Sequence, residues 1–512
     1  MEKPDIKHVV FIMLDTLGFN YLGCYGNDWI KTPHIDRFAQ NATLFENAYT
    51  EGLPTIPCRR AMMTGRFTLP FKGWGPLEHD DTTIADILWG QDIDTAMIFD
   101  TPPMRLPKYG YTRGFDYTKF CHGHELDQAI FKNRHLNPSF NPEDYITENL
   151  IKDENGAYRE GTYTGKNLLN TIVPVLKLRQ HWKGDQDSFV AKVVHEAKRW
   201  LNDIRDPGNR FMLWIDSFDP HEPWDPPSIW ENRPCPYDPD YKGNPIVQAP
   251  MADVAGYMTE EECRHIRALH AEKISVVDKY IGKLFDHLKS TGLWDETMVI
   301  LTSDHGQPMG EGEHGHGIMR KSRPWPYEEL AHVPLIIHLP GIKQGQRVKA
   351  FTQSCDIAPT ILDAFGLYRN RELRETHHRY AVTYSDEDMQ GESLLPLVRG
   401  ETDKVHDYAI SGYFGHSWSL ITEEYSYIHW LSNANKEEAK SPTGWLAKDK
   451  VEHNEQMWTC TPGAEVILPE EDELYDRKKD PFQLNNIIKE NPEKAKELLQ
   501  ELKLYIGELR TS

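Results

Sequence analysis

The sequence predicts an α/β fold: a large mixed, mainly parallel sheet sandwiched by helices, with a smaller α+β region behind it. Three observations predict it. Four continuous apolar runs each stop at an acid: residues 9–14 before Asp15, 95–99 before Asp100, 211–215 before Asp216, and 298–302 shortly before Asp304. Runs that are apolar throughout mark strands buried on both faces, as parallel strands are. Amphipathic helical patterns lie between these runs, which is the rhythm of a doubly wound sheet. After residues 333–338 the composition shifts to charge and short elements, so we expect a domain over 1–365 and a smaller α+β subdomain over 366–512.

In chain order, residues 188–204 place Phe189, Val193, Ala197, Trp200, Leu201 and Ile204 on one helical face. Thr259 followed by Glu262 forms a capping box ahead of Ile266, Leu269, Ile274, Val277, Ile281, Leu284 and Leu288,. Residues 101–184 show weak periodicity, and residues 222–250 are dense in proline. Both read as long structured loops, of the kind that shape pockets at strand ends. Residues 354–362 begin a helix that packs on the sheet, and residues 392–398, 409–411, 417–421 and 425–429 read as pieces of a small antiparallel region. A last helix starts at Asn491-Pro492 and turns Ala495, Leu498, Leu499, Leu502, Ile506 and Leu509 inward,.

With 512 residues, 39% of them hydrophobic, the chain is long enough for one large core plus a smaller domain,. A formal net charge of −22 argues against a nucleic-acid partner,. Seven scattered cysteines, an odd number without paired spacing, fit a reducing compartment,. The first apolar run spans only six residues before Asp15, too short for a signal core or a membrane span, so we expect a cytoplasmic protein,.

Residues 54–66, Pro-Thr-Ile-Pro-Cys-Arg-Arg-Ala-Met-Met-Thr-Gly-Arg, suit an anion-binding helix start. Thr55 is placed to cap exposed N–H groups, Pro57 fits the first turn, and Arg59 adds a charged fork that matches a phosphate or sulfate. An ordinary capped helix would read the same way.

The stretch resembles the signature of the sulfatase family, Cys/Ser-x-Pro-x-Arg with a Thr-Gly-Arg ending, through Pro57, Arg59 and Thr64-Gly65-Arg66. The resemblance runs along the chain. Leu14-Asp15-Thr16-Leu17-Gly18 is similar to the opening metal strand, and Thr32-Pro33-His34-Ile35-Asp36 to the next helix start. Asp219-Pro220-His221 is similar to the mid-chain histidine motif, Ser303-Asp304-His305-Gly306 to the second metal motif, and Glu473-Leu474-Tyr475-Asp476 to the closing segment. It implies a catalytic domain of the alkaline phosphatase superfamily. Two departures stand out. Thr55 occupies the position that sulfatases oxidise to formylglycine, and its β-methyl forbids that aldehyde. Cys58 is no substitute, because Arg59-Arg60-Ala61-Met62 lacks the proline and arginine of the modification motif. Thr16 replaces the usual second aspartate.

The resemblance implies a divalent metal ion (manganese, zinc or calcium) held by Asp15, Asp304, His305 and the Thr55 hydroxyl,. His221 matches a histidine that contacts the ester or leaving group, and Lys321 a lysine that neutralises the substrate oxyanion. His314 and His316 compete for one further role. The family's Gly-Lys-x-His is replaced by Asp100-Thr-Pro-Pro-Met-Arg105, so Asp100 and Arg105 become candidate substrate contacts.

We therefore expect a metal-dependent hydrolase of a phosphodiester or phosphonate monoester, working through a phosphothreonine at Thr55 with Arg59, His221, Lys321 and His316 as catalytic partners. The substrate would be a small-molecule, glycan or lipid-headgroup ester, and a homo-oligomer is compatible with the sequence. A sulfuric ester hydrolase, a transferase passing the phosphoryl unit to an alcohol, and a catalytically silent ligand-binding protein are the other readings.

Overall fold

The computed structural model describes residues 6–89, 91–123, 140–159, 165–179, 181–249, 252–253, 258–310, 316–321, 325–341, 344–369, 386–431, 469 and 471–511. In chain order the strands are β1 (His8–Leu14), β2 (Thr43–Tyr49), β3 (Ile93–Phe99), β4 (Tyr117–Phe120), β5 (Arg210–Ser217) and β6 (Ala252–Asp253). They continue with β7 (Thr297–Thr302), β8 (Met309–Gly310), β9 (Ile318–Met319), β10 (Leu335–His338) and β11 (Gln346–Gln353). The last four are β12 (Ala409–Tyr413), β13 (Ser417–Ile421), β14 (Tyr425–Trp430) and β15 (Glu473–Asp476).

Eight strands form the main sheet in the order β11-β2-β10-β7-β1-β5-β3-β4. Only β10 runs against its neighbours, so the sheet is mixed and mainly parallel. The four apolar runs are the adjacent strands β7, β1, β5 and β3. Every residue of β1 is buried. Alternation sends Val9, Phe11 and Met13 to one face and Val10, Ile12 and Leu14 to the other,. Helices Thr55–Thr64 and Ile357–Ala364 cover the first face; Pro33–Ala39, Phe189–Arg199 and Glu260–Ser290 cover the second.

Helix starts follow local chemistry. Ser188 accepts a hydrogen bond from the Ala191 N–H, and Thr259 and Glu262 form the expected capping box,. Past Arg199 the regular helix ends, and a wider π turn at Trp200–Ile204 leaves Ile204 exposed, not on the inward face. The described parts of residues 101–184 include regular elements where long structured loops are expected. They hold β4 and the helix Gly165–Arg179, which contains Pro174 and so weakened the periodic signal,. Residues 395–398 are a helical turn where a strand or turn piece was expected.

Toward the C-terminus, β12-β13-β14-β15 form an antiparallel sheet, and helix Pro492–Thr511 lies on it. Leu498, Leu502 and Ile506 pack with Ile410, Trp418 and Leu420, and also with Ala61 and Phe67 beside the Thr55–Thr64 helix. Among the described residues no helix is long and apolar enough to cross a membrane, and no disulfide joins the described cysteines.

Ile215 in β5 is fully buried behind the site. Ile215→Ala should lower unfolding free energy by about 2–5 kcal/mol through lost burial and a residual cavity, read as a lower urea midpoint by tryptophan fluorescence.

Candidate active site

Parallel neighbours β7, β1, β5 and β3 deliver their carboxyl ends to one edge of the sheet, where α/β folds place their ligands. Asp15 follows β1, Asp216 lies near the end of β5, Asp304 follows β7 and Asp100 follows β3. All four are fully buried. Facing them is the Thr55–Thr64 helix, buried along its whole length and ended by Gly65 at φ +66, the left-handed cap that glycine favours,.

Arg59 from that helix ties the acids together. Its Nε and Nη2 donate to Asp216 at 2.9 and 2.8 Å, Nη2 also to Asp15 at 3.0 Å, and Nη1 to Asp304 at 2.5 Å. A further bond from Nη1 reaches the Thr55 carbonyl at 3.1 Å. Every guanidinium nitrogen therefore points at the protein. The fork expected to clasp a phosphate or sulfate instead clasps carboxylates, because three strand-end acids without water must share a cation. Thr55 also departs from expectation. Pro54 is the cap residue, the helix begins at Thr55 itself, and no side chain caps it. The Thr55 hydroxyl lies 3.2 Å from His305 Nε2.

Asp15, Asp304 and His305 present ligand atoms within 4.8 Å of one another, all buried. Their chemistry fits a divalent cation. Asp15 Oδ1 accepts no hydrogen bond, and its near cation is Lys321 at 3.8 Å. His305 donates from Nδ1 to the Gly306 carbonyl at 2.7 Å, so the Nε2 lone pair faces Thr55,. Burial pushes the His305 imidazole down to about 4, which keeps it neutral and able to ligate. Burial, reinforced by Asp304, holds the Asp15 carboxyl well above the usual range. For Asp304, burial opposes ionisation, but His305, Arg59 and Lys321 outweigh it and hold the carboxyl below its ordinary value,. Thr16 sits at φ +64, an uncommon conformation for a β-branched residue, with its N–H on Asp304 at 3.1 Å,.

His221 and Lys321 meet on the same side. Lys321 Nζ contacts His221 Nε2, while His221 Nδ1 donates to the Glu222 carbonyl at 2.6 Å. Phe218 stacks on the imidazole at 3.9 Å. Asp100 is buried with one oxygen on the Phe218 N–H at 2.7 Å and the other without a hydrogen bond. Burial, with Asp219 and Asp216, holds its carboxyl well above the usual range, which favours the neutral acid and weakens the repulsion of an anionic ester expected at this position.

Two candidates lie apart from this group. Arg105 is exposed, its guanidinium 5.1 Å over the Phe120 ring. His316 puts Nδ1 on Glu329 at 3.2 Å and Nε2 on the Gln483 carbonyl at 3.0 Å, stacked on Tyr327, so its ring joins the C-terminal segment to the core. His314 lies outside the described residues. Asp216 was visible as a strand-end acid, but its role as the Arg59 anchor was not, and neither was Thr101, which donates to Asp216 at 2.5 Å. Glu222 and Arg320, neighbours in sequence of His221 and Lys321, carried no motif signal.

A sequence profile described as Sulfatase matches residues 7–367. An arylsulfatase of Clostridium perfringens (strain 13 / Type A) is 25% identical over 525 residues, covering 99% of this chain and 94% of that protein. An N-acetylglucosamine-6-O-sulfatase of Bacteroides thetaiotaomicron is 24% identical, covering 98% and 86%. Among solved structures, the phosphonate monoester hydrolase of Agrobacterium radiobacter superposes with a TM-score of 0.65 at 20% identity, covering 99% of this chain and 95% of that one. The phosphonate monoester hydrolase of Silicibacter pomeroyi gives 0.64 at 20% identity, covering 99% and 96%. Both structures share the fold.

Arg59→Ala should cost about 3–5 kcal/mol, because it strands three buried carboxylates, with Arg59→Lys recovering part of the loss in urea denaturation. Burial lowers the His316 pKa, but Glu329 outweighs it, so the folded value lies above 6.5. Stability from that ring is therefore full below pH 6.5 and lost as pH rises through the folded pKa. His316→Gln should lower the melting temperature more at pH 5.5 than at pH 9.

Proposed function

Because the chain belongs to the sulfatase family, we propose that it is a metal-dependent ester hydrolase that cleaves phosphodiester or phosphonate monoester bonds with Thr55 as nucleophile. One observation carries this reading: the Thr55 hydroxyl faces His305 beside Asp15 and Asp304, at the convergence of the strand ends.

Asp15, Asp304, His305 and Thr55 would hold the ion. Two carboxylates and one imidazole suit manganese or zinc better than calcium, which takes more oxygens. The ion supplies Lewis-acid chemistry, lowering the pKa of the Thr55 hydroxyl. Arg59 fixes Asp15 and Asp304 and holds the Thr55 carbonyl, so the hydroxyl keeps its aim. Thr55 Oγ1 gives up its proton to solvent and bonds to phosphorus as the bond to the leaving oxygen breaks, and the proton shared by Lys321 and His221 passes to that oxygen. Water then attacks phosphorus, passing a proton back to the Lys321–His221 pair, and Thr55 Oγ1 departs and takes a proton from solvent to become the hydroxyl again.

Phosphorus is favoured over sulfur by Thr55 itself. Formylglycine releases sulfate by collapse of a hemiacetal, which a threonine cannot form, whereas a phosphothreonine is open to attack at phosphorus. The phosphonate monoester hydrolases among the structural neighbours are in keeping with this reading. The sulfatase names of the curated relatives support a second one, direct hydrolysis of a sulfuric ester.

The test is turnover of bis-(p-nitrophenyl) phosphate, p-nitrophenyl phosphate, a phenylphosphonate ester and p-nitrophenyl sulfate by metal-stripped protein reconstituted with manganese, zinc or calcium. We expect diester or phosphonate cleavage to lead, to need metal, and to fall at least ~10³-fold in Thr55→Ala. Preferential sulfate cleavage would replace this reading with the second. No turnover, together with no metal bound by calorimetry, would leave a ligand-binding protein.

A further inference from the structure

We propose that the buried ion pair between Glu222 and Arg320 is a positioning clamp that sets His221 and Lys321 against the leaving group. The inference rests on the functional reading above and adds two residues to it. Glu222 directly follows His221, and Arg320 directly precedes Lys321, so the pair bridges the two segments one residue from the site. Arg320 Nη2 contacts Glu222 Oε1, and both side chains are at most 1% exposed.

Each partner is held from a second side. Gln307 donates to Glu222 Oε2 at 2.8 Å, and His221 Nδ1 lies 3.4 Å from the same oxygen. Arg320 donates from Nη1 to the Ala249 carbonyl at 2.9 Å, and its backbone N–H donates to the Pro308 carbonyl at 2.7 Å. The Arg320 backbone is left-handed at φ +66, a conformation that a non-glycine residue keeps only where its surroundings enforce it,. That conformation turns the chain between Arg320, which faces Glu222, and Lys321, which faces His221 and Asp15. Lys273 completes the mounting by donating to the His221 carbonyl at 2.8 Å and the Pro223 carbonyl at 3.0 Å.

A buried charge pair is weak evidence for stability, because desolvation offsets much of the attraction. Its better attested use is to fix geometry. Here the geometry fixed is the Lys321–His221 contact, whose partners lie outside regular elements, His221 past β5 and Lys321 just past β9. Burial opposes ionisation of Glu222, but Arg320 and Lys321 outweigh it and keep the carboxyl below its usual range, consistent with a pair charged at neutral pH.

The test compares Glu222→Gln, Arg320→Lys and Arg320→Met in the metal-loaded protein, using esters with good (p-nitrophenol) and poor (alkyl alcohol) leaving groups. We expect kcat to fall about tenfold or more in Glu222→Gln and Arg320→Met, with KM within threefold. The loss should be larger for the poor leaving group, and Arg320→Lys should retain more activity. In a His221→Ala background, Glu222→Gln should add no further loss. Equal losses for both leaving groups, full additivity with His221→Ala, or kcat within twofold of wild type would overturn the proposal. Should Arg320→Met fail to fold, Glu222→Gln and Arg320→Lys decide. A readout independent of turnover is the ¹⁵N shift of His221, assigned by His221→Ala in histidine-labelled protein. It should move in Glu222→Gln, and an unmoved resonance sinks the clamp even if the wild type proves inactive on every ester.

Discussion

Three carboxylates buried at the ends of adjacent parallel strands cannot stand without a cation, and Arg59 meets that requirement. Removing such groups from water costs several kcal/mol each, which only close opposite charge and full hydrogen bonding offset. The rest of the site follows. Arg59 reaches Asp15, Asp216 and Asp304 because the Thr55–Thr64 helix packs flat on the sheet through Ile56, Met62 and Met63. The same packing sets Thr55, four residues earlier and one helical turn away, with its hydroxyl against His305,.

Charge balance connects this hub to the substrate. Asp15, Asp216 and Asp304 bring three formal negative charges, and Arg59 and Lys321 bring two positive ones. The third negative charge has no counterpart, and burial with Asp304 holds the Asp15 carboxyl above its usual range, toward the neutral acid, so that a further cation beside its unbonded oxygen would ionise it. A divalent ion there would turn the local balance to one positive charge, the complement of an ester with a single negative charge. Diesters, phosphonate monoesters and sulfate monoesters all meet that description; dianionic phosphate monoesters do not. On the proposed function, electrostatics would narrow the substrate by charge, and a Thr55 nucleophile would narrow it by element.

Much of the fold was legible because buried parallel strands and capped helices leave local signatures. The acid-terminated runs became β1, β3, β5 and β7, and Thr259 with Glu262 opened the long helix as read. Side-chain destinations were less legible, since one residue type serves several partners. Arg59 has the same fork for a phosphate as for Asp216, and nothing local separates the two. His316 lies in the expected segment, yet its partners Glu329 and Gln483 are distant in sequence. Arg105 had the right charge near the right strand, but its backbone turn sends it outward over Phe120. Glu222 and Arg320 escaped notice because their meaning is only in the pair, which the fold creates across nearly one hundred positions.

The site is assembled from two kinds of support. Asp15, Asp216 and Asp304 sit at or just past strands of the central sheet, where a displacement of one would break register with its neighbours. His221 and Lys321 sit on connecting segments, held by buried charges from Lys273, Glu222 and Arg320. The half proposed to hold the metal is therefore fixed by the backbone of the sheet, and the half proposed to face the leaving group is fixed by side chains. Substitutions in the connecting segments can reshape the pocket around a different leaving group without disturbing the charge balance at Arg59. With the roles proposed for these residues, the attacking end would be set by the sheet and the departing end by loops that can change.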